Sequence, residues 1–279
     1  TLDSNNNPIT QSAWVYNSTG QVTARCEVDP AVSGASSYTC GSNAQAPGGV
    51  RQWTYTYCTS VDGTQCPVVG LKLTEDGPRT DVSDITHYSY YLTTDTSGCA
   101  TPGGACHRAG DLYQVADALG HVTTNTAYDQ AGRPTRLIDA NGVITDLTYT
   151  PRGWLKTRTV AGATTTYTYK PYGAVESITD ADGVTITYGY DNAHRLTDIT
   201  DAQGNHIHYT LDAAGNRTDE ATYAVGSSTP SRHLSRTFNN LGQLTKIIDG
   251  LNHTIFDASA SGGYDANGNL VTSVDALGT

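Results

Sequence analysis

Methionine is missing altogether, even at position 1, and only 2 Phe and 3 Trp occur in 279 residues. The missing initiator implies a processed product or a piece of something longer. Lys and Glu, the residues of solvated helices, are scarce, and no stretch shows helical periodicity of useful length, which excludes a helical bundle. No apolar run approaches the 18 or so residues of a membrane span, and no signal peptide is recognisable. Positive charge is short too: the net charge is −11, so a nucleic-acid backbone or an anionic membrane would be repelled rather than bound. No Cys-x-x-Cys, Gly-x-Ser-x-Gly elbow, phosphate loop or Cys/His nucleophile pair stands out.

What is abundant is Thr, Gly, Asp, Asn and above all Tyr, of which there are 18. That is a strand-and-turn composition, and Tyr suits a surface that is wet on one side. The chain also repeats a phrase: an aromatic, Gly four residues on, Asp seven further, Gly three further. Tyr128–Gly132–Asp139–Gly142, Tyr169–Gly173–Asp180–Gly183 and Tyr264–Gly268–Asp275–Gly278 have it in full. Imperfect copies stand at Tyr149, Tyr190, Leu211 and Phe238, and the anchors from 128 to 211 are spaced by 20 or 21 residues. A period of this size means an array of small units that complete one another's core.

Within a copy, Val184, Ile186, Tyr188 and Tyr190 alternate with Thr185, Thr187 and Gly189, the period of a strand with one buried face. The other half-copy carries apolar residues two and five positions after its Gly, as in Val175/Ile178, Leu196/Ile199 and Leu244/Ile247. A spacing of three implies a bulge or burial on both faces. Asp-x-x-Gly tetrads lie between the half-copies, with Asp capping backbone amides and Gly accepting positive φ. The reading is all-β: antiparallel hairpin repeats forming a continuous curved or spiralling sheet. The anchors should recur on one face as a stacked ladder. Residues 110–279 form the regular array, and residues 1–109 hold the same frame with insertions.

The insertions carry all six cysteines, as Cys26/Cys40, Cys58/Cys66 and Cys99/Cys106. Sequence-adjacent pairing is the simplest of fifteen possibilities, since each pair brackets a short Gly/Pro/Ser-rich excursion. Zinc binding and unbonded thiols are the rivals. Disulfides would imply an oxidising, extracellular or cell-surface setting.

Tyr128-Asp129…Gly132-Arg133, Tyr190-Asp191…Arg195-Leu196-Thr197 and Tyr264-Asp265…Gly268-Asn269-Leu270 resemble the YD repeats of the RHS (rearrangement hot spot) family. The resemblance covers about 110–279 and continues in register over 1–109. It implies a section of a hollow shell: bacterial RHS proteins and insecticidal ABC-toxin subunits enclose a toxin polypeptide, and teneurins use a similar barrel in adhesion. The family's self-cleaving core ends in an Asp-Pro motif followed by spaced glycines. The one Asp-Pro here, Asp29-Pro30, lacks that pattern, so cleavage does not carry over.

Three constellations could carry chemistry. His206 and His208 share a strand face and could bind zinc or copper, but no third ligand is evident. Asp180/Asp182 and Asp139/Asn141 resemble fragments of calcium loops without the distal Glu, and turn capping accounts for them. Asp198/Asp201 could be a glycosidase pair, yet Asp recurs at that phase in most copies. The expectation is a non-enzymatic wall segment without a cofactor. Its partners would be an enclosed polypeptide, further repeats of the same chain, or other copies joined through sheet edges. The alternatives are a surface adhesin using Trp53 and Trp154, or a self-assembling fibre.

Overall fold

Alternating Thr and Tyr/aliphatic residues, broken every eight to twelve positions by an Asp- or Asn-led tetrad, produce strands joined by tight turns. A computed structural model describes residues 10–42, 45–99, 104–259 and 262–275. Apart from a three-residue 3-10 turn, Ala35–Ser37, the regular elements are strands, twenty of them among the described residues. The chain forms two compact units, Thr1–Leu147 with Thr159–Ala161, and Thr148–Arg158 with Gly162–Thr279.

In the first unit, β1 (Gln11–Tyr16), β2 (Val22–Val28), β3 (Val50–Tyr57), β4 (Lys72–Asp76) and β5 (Thr86–Tyr90) pair in sequence order. They continue through β6 (Leu112–Ala116), β7 (Val122–Tyr128), β8 (Pro134–Ile138) and β9 (Ile144–Tyr149). Every neighbour is antiparallel.

The second unit repeats the meander. After β10 (Leu155–Val160), it runs through β11 (Ala163–Tyr169), β12 (Val175–Thr179), β13 (Thr185–Tyr190), β14 (Leu196–Thr200) and β15 (His206–Leu211). It ends with β16 (Arg217–Tyr223), β17 (Arg232–Phe238), β18 (Leu244–Asp249), β19 (Thr254–Asp257) and β20 (Val274–Asp275).

The spacing of three resolves as a bulge. Tyr190 pairs with Leu196 and Tyr188 with Ile199, which puts both aliphatic residues on the tyrosine face and leaves Thr197 as the extra residue. The same slip occurs at the anchors Tyr16, Tyr57, Tyr90, Tyr128, Tyr169, Leu211 and Phe238, with further shifts at Asn125/Ala127 and Ile247/Ile248. The opposite face is zipped by hydroxyl pairs: Thr56–Thr74 at 2.6 Å, Thr148–Thr157 at 2.6 Å and Thr168–Ser177 at 2.7 Å.

The expected buried face is only half buried. Val184 is 42% exposed and Ile186 38%, because a single layer of sheet has no second layer to cover its ends. The fullest burial lies at the first insertion, where Cys26, Val28, Ala35 and Val50 make a small core with Tyr38, Cys40 and Ala46 against it.

Candidate functional site

Three layers of contact define the repeat, and the first is the turn. In each tetrad the N–H of the first residue donates to the carbonyl of the fifth, and the N–H of the fourth donates back to the first. Asp139/Gly142/Val143, Asp180/Gly183/Val184 and Asp265/Gly268/Asn269 all do so. The Asp carboxylate accepts two further amides: Asp180 Oδ1 takes Asp182 N at 3.0 Å and Val184 N at 2.9 Å, and Asp139 Oδ1 takes Asn141 N and Val143 N at 2.9 Å. Gly142 (φ 79°) and Gly183 (φ 82°) sit in the left-handed region that a type I turn with a glycine bulge requires. Gly132, Gly173 and Gly268 do the same on the other edge. Asp275 closes β20 against Phe256, and Gly278 lies outside the described residues.

Four tetrad carboxylates, Asp191, Asp201, Asp212 and Asp265, are held below the ordinary range. The Asn205 side chain, with its backbone amide, keeps Asp201 below the ordinary range despite some desolvation, and Asn216 and Asn269 do the same for Asp212 and Asp265. The Arg195 amide and guanidinium lower Asp191.

The second layer is a link that the sequence reading missed. Six anchor tyrosines send their hydroxyls to the carbonyl two residues past the turn Gly of the preceding copy. Tyr57 reaches Val22 O at 2.8 Å, Tyr90 Lys72 O at 2.6 Å, and Tyr169 Leu155 O at 2.6 Å. Tyr190 reaches Val175 O at 2.7 Å and Tyr264 Leu244 O at 2.7 Å, while Tyr128 bonds Leu112 O. The acceptor lies where the bulge interrupts the ladder. The expected ring-on-ring ladder is corrected by this geometry: successive anchors lie two strands, about 9.6 Å, apart, beyond stacking range. The copies are joined by hydroxyl-to-carbonyl bonds instead. Burial, together with the Asp111 charge, pushes the Tyr128 hydroxyl up to about 12.

The third layer runs along the turn tips on the same edge. A side chain from one turn donates to a carbonyl in the next: Gln21 to Gly70 at 2.8 Å, Arg108 to Gln130 at 2.7 Å, Arg195 to Asp212 at 2.7 Å. Arg152 makes the equivalent bond to Pro171.

The insertions fit this frame. Cys58 and Gly70 keep the turn's hydrogen bonds, with Cys58 N to Leu71 O and Gly70 N to Cys58 O, both 2.8 Å. Tyr91, Gly110 and Asp111 do likewise at 2.9 Å. The excursions therefore grow from inside a tetrad, between its first and fourth residues. Cys26 bonds Cys40, Cys58 bonds Cys66 and Cys99 bonds Cys106, with Cα separations of 5.8, 5.5 and 5.0 Å.

The candidate chemical sites resolve into structure. His208 Nδ1 lies 2.7 Å from Asp198, directly across the β14–β15 ladder, and His206 stacks on Tyr223. Asp198 and Asp201 thus have separate partners, an imidazole and a turn. Among the described residues no three His, Cys, Asp or Glu side chains are grouped to hold a metal ion, and no helix is long and apolar enough to cross a membrane.

Bulged hairpins stapled copy to copy by tyrosine hydroxyls define a class, the all-β hairpin repeat array. Within that array, residues 169–206 and 193–228 match the RHS repeat family model. Two solved structures share the fold. One is the crystal structure of TcdB2-TccC3-Cdc42, at 15% identity and a TM-score of 0.53 over 87% of this chain. The other is TcdB2-TccC3 without its hypervariable C-terminal region, at 15% identity and 0.50 over 90%. This chain spans 12% and 16% of the length of those chains. No curated protein sequence matches it.

Proposed function

We propose that the chain is a wall segment of an RHS shell, enclosing or displaying an associated polypeptide such as a toxin. The observation that carries this reading is the stapling. A single-layer sheet has little core, yet tyrosine hydroxyls and tip side chains tie hairpin to hairpin at many points of the array, as a wall resisting separation of its strips requires. Its action is exclusion: the wall keeps proteases from the enclosed chain, and its Thr, Asn and Asp side chains favour no particular fold of that chain. In this reading the segment is not an enzyme. The three disulfides support an extracellular or cell-surface location.

The adhesin reading draws less support. Trp53 is overlaid by the Arg25 and Arg51 guanidiniums at 4.8 and 5.6 Å, and Trp154 packs on Tyr169 at 5.2 Å, so both rings are engaged within the chain.

The test is protease protection of the polypeptide as encoded. A wall predicts that a segment intrinsically open to cleavage survives digestion until Tyr→Phe substitutions at several staples loosen the sheet, with a closed particle visible by electron microscopy. Equal cleavage with and without the staples would overturn the reading.

A further inference from the structure

Several copies place aliphatic residues two and five positions after the turn Gly, as in Leu112/Val115, Val175/Ile178 and Leu244/Ile247. The Gly215 copy instead has Arg217 and Glu220 there, on the tyrosine face, with Glu220 directly opposite Tyr209 and Leu234. Three guanidiniums converge on that one carboxylate: Arg217 at 3.3 Å, Arg232 at 2.8 Å and Arg236 at 3.0 Å. Glu220 is only 13% exposed, so it is spent on these partners and leaves an excess of two positive charges. Arg236 keeps one buried guanidinium nitrogen with no acceptor, so the excess is not dissipated within the sheet. By contrast, the charged pair in the Gly70 copy, Lys72–Glu75 at 2.7 Å, is balanced.

Beside the cluster, within the second unit, runs a groove of about 710 Å³ lined by Leu234, Ile247, Leu251 and Ile255 with Arg232 at its side. The carboxylate on its rim, Asp249, is turned into its own tetrad, accepting Leu251 N, His253 N and the His253 ring. His233, also at the rim, is paired to Asp219 on the other face. Arg232 shares Glu220 with Arg217 and Arg236, so with Asp249 counted three guanidiniums outnumber two carboxylates by one, and the Arg232 side chain is 60% exposed.

We propose that this groove binds an extended peptide segment of a partner polypeptide that carries a carboxylate next to an aliphatic side chain. The aliphatic group fills the floor between Leu234 and Ile247, and the carboxylate meets Arg232 and the excess charge behind it. Charge complementarity argues for that occupant: on a chain of net charge −11, a locally cationic rim around an apolar floor selects anionic-aliphatic sequences and rejects basic ones.

The test is fluorescence anisotropy on the intact chain, with three labelled peptides of alternating Leu and a second residue: Glu, Gln or Lys. The expected result is saturable binding of the Leu/Glu peptide, about tenfold weaker for Leu/Gln, the scale of one charge-assisted hydrogen bond, and absent for Leu/Lys. Arg232→Gln should remove the preference for Glu over Gln. Leu251→Asp, on a turn tip that is 76% exposed, should weaken the Leu/Glu peptide by charge repulsion. Both positions are exposed, so unchanged thermal melts will show that the variants fold. Equal binding of the three peptides, no saturable binding at all, or a Glu preference that survives Arg232→Gln would each overturn the assignment.

Discussion

At the scale of the residue, the anchor tyrosine is the informative side chain. Its position was legible because the phrase recurs, but its hydroxyl's role was not, since the acceptor is a carbonyl 14 to 35 residues upstream that no side-chain pattern marks. Two anchors lack the hydroxyl. Leu211 and Phe238 stand where Tyr would address the Leu196 and Arg217 carbonyls. Phe238→Tyr should therefore complete a staple and raise stability by about 1 kcal/mol, whereas Tyr190→Phe should cost about the same by stranding the Val175 carbonyl. Chemical denaturation of both variants checks the pair, and opposite signs are expected. The turn glycines allow a cleaner prediction still. A Cβ built on Gly183 meets nothing within 4 Å, so Gly183→Val pays only for its positive φ, about 1–2 kcal/mol of lost stability in a melt.

At the scale of the element, the hairpin with its bulge explains why the apolar spacing of three looked ambiguous. Sequence alone could not separate a bulge from two-sided burial, because both place apolar groups at odd intervals. The register decides it, with Thr197 unpaired between Leu196 and Ile199. The insertions show the same logic. Tyr57-Cys58…Gly70 and Tyr90-Tyr91…Gly110 are tetrads opened in the middle, legible once the flanking Tyr and Gly are seen as one turn. The Cys58–Cys66 loop also has its own inner turn, where Asp62 Oδ1 accepts the amides of Thr64, Gln65 and Cys66 at 2.8, 2.7 and 3.1 Å. Removing the bridge with Cys58→Ala and Cys66→Ala should cost about 2–3 kcal/mol in the loop-entropy account. The Cys58–Gly70 and Cys58–Leu71 backbone bonds do not need the sulfur. Hydrogen exchange should therefore quicken across residues 59–69 while the β3–β4 ladder keeps its protection.

At the scale of the whole molecule, an array of nearest-neighbour contacts should fail locally to mutation and collectively to pH. Tyr169 packs on Trp154 and staples to Leu155. Tyr169→Ala should cost about 2–3 kcal/mol, less than a fully buried ring, and open exchange in the copies flanking residue 169 only; uniform loss across the described residues would contradict an array. Alkali acts on the staples of Tyr90, Tyr128, Tyr169 and Tyr190. Burial raises Tyr90, Tyr169 and Tyr190 above the ordinary phenol value and Tyr128 to about 12. A folded value above the unfolded one means that the fold holds the proton more tightly. The stabilisation is therefore complete below about pH 10 and is lost as pH climbs through the folded values, Tyr128 losing its share last. The turn carboxylates run the other way. The folded values of Asp191, Asp201, Asp212 and Asp265 are depressed, so their contribution is present above about pH 4 and fades as acid protonates them. The expected stability profile is a plateau bounded by turn failure in acid and staple failure in alkali. Ultraviolet difference titration near 295 nm checks the alkaline limb. The phenolate signal of the staples should rise together with the loss of strand circular dichroism, and a phenolate signal complete at about pH 10 with the sheet intact would show that the hydroxyls do not hold the copies together.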